Sequence, residues 1–466
     1  MLVAGEWVTR PERIEVRNPL TGERVGTVPR GTPDDIRRAL DAAEAAQRLP
    51  FPAHARYDVL MGAADRIEAR QEEYAWTIAR EGSKAIREAR REPARVARLL
   101  RLAAEEGRRI AGETLPFEIR PGSENREGYY FRVPVGVVGA ITPFNDPLAM
   151  AAHKVGPALA AGNSVVLKPG SATPFSALSL ARELLAAGLP PGRLSVVTGR
   201  GEALGETLVA DPRVRLVSFT GGVETGTKIT RLAGIKRLSM ELGSNSPVIV
   251  NADARLDEAV PAIAAGAFAQ AGQNCLGVQR VLILDAVYDT FVEHFAAHVA
   301  TLRAGASTEE TTDVCAMIDV AQAERIEAWI REATDRGARV LVGGRREGPL
   351  VWPTVLTDVP DGVRLDCEEA YGPVVSLYRV ASLGRAIEKA NRVSYGLHSA
   401  IFTESLRDAY QAIKQLDFGA VMVNDSTDYR LDTMPFGGTK LSGIGREGVR
   451  FAVQEMTETR VVCFNL

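Results

Sequence analysis

The sequence lacks a long hydrophobic run and closely spaced cysteines, and each absence excludes a class of protein. No apolar stretch among its 466 residues reaches the roughly 18 residues of a membrane-spanning helix, so no membrane association is expected. The N-terminus has neither a basic start nor an apolar core and does not predict a signal peptide. The 4 cysteines lie far apart without a CxxC pair, which argues against a disulfide framework or zinc site and favours a reducing, cytoplasmic location.

The sequence also lacks an excess of either charge. Lys and Arg total 56 against 59 Asp and Glu, so no attraction to nucleic acid or to an anionic membrane is expected. Hydrophobic residues at 45% and charged residues at 25% are typical of a folded globular chain with room for two or three domains. Only 8 of the cations are lysines, so each lysine stands out. His294 and His298 are spaced like helical ligands but lack the HExxH glutamate, and we predict no metal site.

Hydrophobic spacing changes along the chain from helical to alternating strands and helices. Helical spacing extends over residues 32–112. Short apolar strands then alternate with helices, which predicts an α/β fold with parallel sheets. The predicted strands are 129–133, 134–141, 164–168, 194–197, 214–219, 247–250, 280–284, 339–342 and 373–380, and the predicted helices include 174–187, 202–210, 223–232, 256–271 and 321–336. Because ligands of such sheets bind where strands end, the loops after the strands predict a shared cleft.

Three polar residues in these loops are candidates for catalysis, and each also has an ordinary structural explanation. Cys275 lies in a glycine-rich loop that would expose a nucleophilic thiolate, although most cysteines are small buried hydrophobic residues. Glu241 ends an apolar strand, where burial would raise its pKa and suit it to act as a base. The structural alternative is an ion pair with an arginine. Asn145 offers an amide donor for an oxyanion, or is a turn residue beside proline.

Other loops have the composition of a dinucleotide site. Lys168 ends a strand buried on both faces, where a cation needs an anion such as a phosphate oxygen, unless its chain extends to solvent. Gly201, Gly205, the turn 219–222 and Gly226 would let the backbone approach a dinucleotide. None of these turns matches GxGxxG, so each alone is a weak indication.

Eight short motifs follow one another along the chain. They are PFNDPL (143–148), PALAAGN (157–163), KP (168–169), FTG (219–221), ELG (241–243), GQNC (272–275), EAYGP (369–373) and PFGG (435–438). In this order they resemble the aldehyde dehydrogenase superfamily over essentially the whole chain. The resemblance implies a Rossmann-like NAD(P)-binding domain (1–115 and 134–241), an α/β catalytic domain (242–450) and a small β oligomerisation element (116–133 and 451–466). The strands of that element would pair across subunits in a homodimer or homotetramer.

The same resemblance implies a role for each candidate. Cys275 would attack the aldehyde, Asn145 and the Cys275 backbone N–H would hold the oxyanion, and Glu241 would activate water to hydrolyse the thioester. Glu369 would hold the nicotinamide ribose, and Tyr371 stands where the family usually has Phe. The full set of implied cofactor-binding residues is Ile141, Thr142, Pro143, Lys168, Ser171, Gly201, Gly205, Phe219, Thr220, Gly221, Gly222, Gly226, Leu242, Glu369 and Tyr371.

Two departures from the family pattern concern the cofactor. Gly222 replaces the usual serine of the cofactor turn, so pyrophosphate binding would depend on backbone N–H groups at a helix N-terminus. Ser171 stands where many NAD-preferring members have a glutamate that binds the adenosine 2′-hydroxyl. Because a serine does not repel a 2′-phosphate, the cofactor is expected to be NAD or NADP.

Family resemblance also indicates which residues line the aldehyde tunnel. Its walls would be formed by Arg95 (or Arg91 or Arg98, a turn away), Asp146, His153 and the loop 424–436. That loop contains Asp428, Tyr429, Arg430, Asp432 and Phe436. Such walls would leave charges desolvated against a long apolar chain, which predicts a short hydroxylated or anionic aldehyde. The alternative is that the charged residues pair with one another.

Two other reactions and a non-catalytic function remain as alternatives. A cysteine-dependent acyl transferase or hydrolase would use the same nucleophile and base, but it would leave the dinucleotide-like turns without a purpose. A CoA-acylating member of the family would lack a water-activating base at the position of Glu241. A binding or structural protein would have no use for Asn145, Glu241 and Cys275 together.

Overall fold

The computed structural model describes residues 1–466. Up to Glu241 the strands are β1 (Leu2–Val3), β2 (Glu6–Trp7), β3 (Arg13–Arg17), β4 (Arg24–Pro29), β5 (Glu113–Thr114), β6 (Arg126–Pro134), β7 (Val137–Ile141), β8 (Ser164–Lys168), β9 (Leu194–Val196), β10 (Val214–Thr220) and β11 (Arg237–Glu241). The helices of this part are α1 (Pro33–Gln47), α2 (Ala53–Glu68), α3 (Gln71–Glu81), α4 (Ile86–Ala89), α5 (Arg91–Arg108), α6 (Pro147–Ala160), α7 (Pro174–Ala186), α8 (Glu202–Ala210) and α9 (Val223–Ala233).

The remaining residues form a second series of strands and helices. Its strands are β12 (Ser246–Val250), β13 (Val278–Leu284), β14 (Arg339–Val342), β15 (Arg346–Glu347), β16 (Leu350–Val351), β17 (Thr354–Thr357), β18 (Val374–Val380), β19 (Tyr395–Gly396), β20 (His398–Phe402), β21 (Ala420–Val423), β22 (Thr439–Lys440), β23 (Gly443–Ile444) and β24 (Thr457–Asn465). Its helices are α10 (Leu256–Phe268), α11 (Tyr288–Val299), α12 (Val320–Asp335), α13 (Arg364–Cys367), α14 (Leu383–Asn391), α15 (Leu406–Gln415) and α16 (Val449–Glu455).

Two large sheets with parallel centres organise the molecule. The first has the order β2-β1-β9-β8-β7-β10-β11-β23, with β9 to β11 parallel. The second has the order β14-β17-β18-β13-β12-β20-β21, with every strand after β14 parallel. The α/β fold predicted from the sequence is therefore confirmed.

Helices cover both faces of the first sheet, which explains why its central strand β7 is apolar throughout. In β7, Val138 and Ala140 belong to a core cluster with residues of α2, α5, α6 and α7, whereas Val137 belongs to the cluster on the opposite face with residues of α1 and α8. A strand enclosed on both faces cannot alternate apolar with polar residues. Its polar residues therefore appear where it ends, at the edge where the loops begin.

The chain leaves its predicted path at the end of α10. The sequence predicted one helix over 256–271, but α10 ends at Phe268. Gln270 and Ala271 then have φ of 55°, followed by Gly272 at 67°. This left-handed run cannot continue a right-handed helix and turns the chain towards the sheet edge. Only glycine fits at 272, because an ideal Cβ there would lie 2.1 Å from the carbonyl oxygen of Gly372.

A third sheet has the order β24-β6-β5 and is antiparallel. It contains the hairpin and C-terminal strand that the sequence predicted for an oligomerisation element. The domain boundaries stay a prediction: β5 begins before the predicted element, and β23 joins the first sheet from within the range predicted for the catalytic domain. Length and polarity exclude every helix as a membrane span.

The second sheet encloses one large cation, Arg280 on β13. Its guanidinium is fully buried and donates to the Asn245 side chain at 2.9 Å and to the last-turn carbonyls of Lys389 and Ala390 at 3.0 and 3.1 Å. No carboxylate pairs with it, and burial lowers its pKa. Cations are favourable at helix C-termini, so Arg280 holds α14 against the sheet.

Replacing Arg280 with Met is expected to destabilise the protein by about 3 kcal/mol, because several buried carbonyl groups lose their donor. Arg379→Met on the neighbouring β18 is the matched control, since Arg379 is exposed beside Asp289 and such surface pairs contribute below about 1 kcal/mol. Thermal unfolding followed by circular dichroism measures both. Equal melting temperatures for the two variants would contradict this account of Arg280.

Candidate active site

A cavity of about 1100 Å³ lies between the ends of β7, β10 and β11 in the first sheet and the beginnings of β13 and β18 in the second sheet. The loops after β7, β10 and β11 line one side, and the Cys275 loop and the segment around Glu369 line another. Residues of α4 and α5 and the loop from Asp425 to Phe436 complete the wall. Parallel sheets bind ligands at the carboxyl ends of their strands, which the first sheet presents here, so the location agrees with the cleft predicted from the sequence.

Asn145, Glu241 and Cys275 come together on this cavity from three different loops. Asn145 precedes α6, Glu241 is the last residue of β11, and Cys275 precedes β13. The side chain of Asn145 makes no hydrogen bond within the protein, and its Oδ1 is buried without a partner. A free amide donor, a carboxylate and a thiol in one cavity are the groups that acyl chemistry requires.

Backbone hydrogen bonds fix the loop that carries Cys275. Asn274 accepts the Leu276 N–H on its side-chain oxygen at 3.0 Å and the Gly277 N–H on its carbonyl at 2.9 Å. Gln273 accepts the Ile318 N–H at 2.9 Å. The thiol is therefore positioned by its neighbours rather than by its own contacts.

Burial raises the pKa of Cys275 to about 12, and the charge of Arg430 is the main influence that lowers it. The carboxyls of Glu369, Glu241 and Asp146 act in the other direction. The thiol consequently stays protonated near neutral pH and needs a base or an added cation to react.

Glu241 is the candidate general base for a water molecule in this cavity. It is buried, both carboxyl oxygens lack a hydrogen-bond partner, and burial raises its pKa well above the usual value, with a further contribution from Glu447. A carboxyl in this state takes up a proton readily. Such perturbed groups concentrate at functional sites.

Behind Glu241 lies a buried network of charges. Lys154 donates to Glu447 at 3.0 Å and to Ser218 at 3.1 Å, and Arg430 donates to the other oxygen of Glu447 at 3.2 Å. Burial opposes ionisation of Glu447, but Lys154, His153 and Arg430 hold its pKa well below the usual value. Glu447 therefore stays negative, which accounts for its effect on Glu241.

The residues predicted to bind the cofactor divide into two groups. Those that line the cavity are Thr142, Pro143, Phe219, Thr220, Gly221, Gly222, Leu242, Glu369 and Tyr371. Those that lie outside its lining are Ile141, Lys168, Ser171, Gly201, Gly205 and Gly226. Burial lowers the pKa of Lys168, and its backbone pairs with Ile141 of β7. Ser171 donates to the Gly199 carbonyl at 2.8 Å and so connects the loops after β8 and β9.

Glu369 is held close to the end of β11. It accepts the Ser244 N–H at 2.8 Å, and burial raises its pKa to about 7. The close approach requires Gly243, because a Cβ there would lie 2.2 Å from the Glu369 Oε2. Tyr371 meets the Phe144 ring edge-on at 6.0 Å, so its aromatic ring is part of the wall.

The predicted substrate residues are only partly on the cavity. Arg95, Asp146 and Phe436 line it, but His153 does not. His153 is 2% exposed and lies 3.1 Å from Arg95 and 3.2 Å from Asp432, and burial lowers its pKa to about 4. The mutual pairing that the sequence left open therefore does occur for Arg95 and His153.

Lys84 and Gln270 are cavity residues that the sequence analysis did not identify. Lys84 donates to Glu92 at 2.5 Å and also to Asp146, and Gln270 donates to Asp146 at 3.0 Å. The scarcity of lysine was a signal for Lys84, since buried lysines need partners. No sequence feature distinguishes Gln270, which depends on the unusual turn after α10.

Iodoacetamide is expected to alkylate Cys275 more slowly than exposed Cys367 at neutral pH, because the partly buried Cys275 thiol is protonated. Below its pKa, the rate at Cys275 should rise about tenfold per pH unit. Arg430→Gln should slow the reaction further, since loss of the cation raises the pKa. Mass spectrometry of both peptides measures the rates, with Cys367 as the internal control. Faster alkylation of Cys275 than of Cys367 near neutral pH would contradict the raised pKa of Cys275.

Comparison with known proteins identifies the family of the chain. The model of the aldehyde dehydrogenase family matches residues 7–462. The chain is 44% identical to 3-sulfolactaldehyde dehydrogenase of Priestia aryabhattai, over 100% of this chain and 98% of that protein.

Solved structures give the same result. Aldehyde dehydrogenase 21 of Physcomitrella patens, in complex with the reaction product succinate, superposes with a TM-score of 0.97 at 38% identity, over 100% of this chain and 97% of the other. NADP-dependent glyceraldehyde-3-phosphate dehydrogenase of Bacillus halodurans, complexed with NADP, gives 0.97 at 36% identity, over 100% and 98%. This chain therefore belongs to the aldehyde dehydrogenase family, and it is an NAD(P)-dependent enzyme of that family.

Proposed function

We propose that the protein oxidises a short polar aldehyde, hydroxylated or anionic, to the carboxylate, with Cys275 as nucleophile, Asn145 as oxyanion donor and Glu241 as base. The observation that carries the proposal is the meeting of these three side chains on one cavity. Their separation along the sequence leaves no local structural reason for it.

In this mechanism, the Cys275 thiol first loses its proton to solvent, and the resulting thiolate attacks the aldehyde carbon and forms a thiohemiacetal. Asn145 donates its amide N–H to the oxygen that becomes negative, a role supported by the freedom of its side chain, whose buried Oδ1 has no partner in the protein. Arg430 favours the thiolate that attacks. The chemistry that a bound nicotinamide supplies is acceptance of a hydride, which leaves a thioester on Cys275.

Glu241 completes the reaction by taking a proton from the water that attacks the thioester. Its two oxygens lack protein partners, so a water that enters the cavity can satisfy them. The raised pKa gives the carboxylate more basicity than an exposed glutamate has. Glu447 is proposed to maintain that pKa through its fixed negative charge.

The residues around the cavity fit a dinucleotide. Helix α9 starts behind Gly222 with no side-chain cap, so its first backbone N–H groups are free to bind a pyrophosphate. Gly222 and Val223 line the cavity at that point. Glu369 is proposed to accept hydrogen bonds from ribose hydroxyls. Ser171 brings no negative charge, so its position is compatible with NADP as well as NAD.

Two arginines of the cavity support a polar or anionic substrate. Arg95 and Arg430 are each paired with one acidic residue, Asp432 and Glu447, yet neither makes a hydrogen bond through Nη1. Those N–H groups are available to a polar end of the substrate. The related enzymes named above act on sulfolactaldehyde and on glyceraldehyde 3-phosphate, which are short and anionic.

The alternative reactions fit less well. A CoA-acylating enzyme would need no base for water, and an unpartnered buried Glu241 would then be a penalty without use. A hydrolase or acyl transferase without a nicotinamide would not need the free N-terminus of α9 beside Cys275.

We propose in addition that the third sheet pairs with a second copy of the chain in a homodimer or homotetramer. Strand β24 is at the edge of that sheet, and Val461 and Phe464 on it are 60% and 50% exposed. An exposed edge strand of this length is a template for pairing.

Glu241→Gln is expected to separate the two halves of the reaction. With a short polar aldehyde, this variant should release about one NAD(P)H per active site in a burst, followed by turnover reduced about 100- to 10,000-fold, because the thioester is no longer hydrolysed. Stopped-flow absorbance at 340 nm measures both phases.

Cys275→Ala should abolish the burst, whereas Cys367→Ala, at an exposed cysteine, should leave turnover unchanged. A requirement for CoA, or full turnover by Cys275→Ala, would contradict the mechanism.

Substrate preference is expected to follow the polarity of the walls. The kcat/KM for glycolaldehyde or an anionic three-carbon aldehyde should exceed that for hexanal, since a long apolar chain would leave Arg95 and Asp146 desolvated. Steady-state kinetics with NAD and with NADP measures the ratio. A higher value for hexanal would refute the proposed substrate class.

A further inference from the structure

Asp146 occupies the position from which an aspartate usually caps a helix, yet it does not cap α6. Its side chain accepts no N–H from the first turn of that helix. Glu92 of α5 does so instead, and its Oε1 accepts the N–H groups of Leu148 and Ala149, each at 2.8 Å. Because an N-cap aspartate normally bonds its own helix, the departure frees Asp146 for another purpose.

The Asp146 carboxylate is held through one oxygen only. Lys84 and Gln270 both donate to Oδ1, the latter at 3.0 Å. Oδ2 accepts no hydrogen bond from the protein and is not fully enclosed, and the side chain is 17% exposed on the cavity wall. The free oxygen is therefore an acceptor in a fixed position that faces the substrate space.

Pairing with Lys84 occupies only one oxygen of Asp146. Lys84 contacts Glu92 at 2.5 Å, with side chains 4% and 3% exposed, and it also contacts Asp146 Oδ1. Burial opposes ionisation of both acids, but Lys84 and Arg95 hold the pKa of Asp146 below its usual value, while that of Glu92 is raised. Asp146 is thus the ionised partner of Lys84 through Oδ1, and its Oδ2 has no donor from the protein.

We propose that Asp146 Oδ2 accepts a hydrogen bond from a hydroxyl on the carbon next to the aldehyde, which makes 2-hydroxyaldehydes the preferred substrate class. The inference rests on the proposed function, in which the neighbouring Asn145 holds the aldehyde oxygen. Consecutive Cα atoms are about 3.8 Å apart, so a substituent on the adjacent substrate carbon comes close to residue 146.

The same geometry rejects substrates without the hydroxyl. A methylene group opposite Oδ2 would exclude water from an ionised carboxylate and offer it no donor. Sites built to bond a hydroxyl discriminate strongly against analogues that lack it, for this reason.

Lactaldehyde and propanal test the proposal, because they share three carbons and differ only in the 2-hydroxyl. The wild-type kcat/KM should be about 10- to 100-fold higher for lactaldehyde, as expected for one hydrogen bond to a charged group. One lactaldehyde enantiomer should be preferred by about tenfold or more, since Asp146 is fixed on one side of the cavity.

Two variants locate the effect at Asp146. Asp146→Leu should bring the lactaldehyde-to-propanal ratio close to unity, and the pair of Lys84 with Glu92 should keep the fold. Asp146→Asn keeps an oxygen for Lys84 and should lower the ratio about tenfold, with propanal little changed. Asp417→Asn is the control, because Asp417 also pairs with a lysine, Lys440, but lies outside the cavity, and its ratio should be unchanged.

The outcomes distinguish failure of the proposed role of Asp146 from failure of the proposed function. Equal wild-type kcat/KM for lactaldehyde and propanal overturns the inference, as does a ratio and enantiomer preference that survive in both Asp146 variants. A fall in kcat for both aldehydes at constant ratio would show that Asp146 only positions α6, and would also overturn it. If no aldehyde is oxidised with either cofactor, the proposed function itself fails.

Discussion

The contact of Glu92 with the first turn of α6 fixes the geometry on which the cavity depends. Asn145 and Asp146 directly precede α6, so their side chains are aimed by the position of that helix. Glu92 belongs to α5 and is bound in turn by Lys84, which lies just before α4. The cap that α5 supplies therefore couples α5 to the start of α6. It also leaves Asp146, the residue at the N-cap position, free to face the substrate.

Unpartnered buried groups form the rest of the site. In most of a folded protein, a buried carboxylate or amide has a hydrogen-bond partner, because desolvation without one is costly. Glu241, Asn145 and Cys275 lack such partners, and burial holds the pKa of Glu241 and of Cys275 high. We expect these three groups to gain partners when the reactants bind.

The sequence predicted helices and strands well where the hydrophobic pattern within one segment determines them. Helix α8 begins and ends at the predicted residues, 202 and 210, and β8 spans the predicted 164–168, since strands enclosed on both faces read as apolar runs. It predicted nothing for β1 to β4, which are short and depend on partners distant in the chain. It also extended α10 through Gln270 and Ala271, whose left-handed backbone is imposed by the tight contact at Gly272.

The site was predictable in its residue types and less so in its contacts. Motif resemblance placed Asp146 and Arg95 on the substrate side, and both are on the cavity. It also placed His153 there, but α6 turns this side chain towards Asp432, and a helical position alone does not reveal which neighbour a side chain meets. Lys84 lies 62 residues before Asp146, a separation at which no periodicity predicts contact.

Three cations of the cavity are each paired with an acid, and this pairing determines what a substrate has to provide. Arg95 faces Asp432, Arg430 faces Glu447, and Lys84 faces Glu92. Lys84 also donates to Asp146 Oδ1, which leaves Asp146 Oδ2 without a protein donor. Cations paired in this way bind a ligand by directed hydrogen bonds rather than by net charge, because the fields of the two partners largely cancel. Free arginine N–H groups and one free carboxylate oxygen then distinguish the two ends of a short polar molecule, which orients its aldehyde towards Cys275.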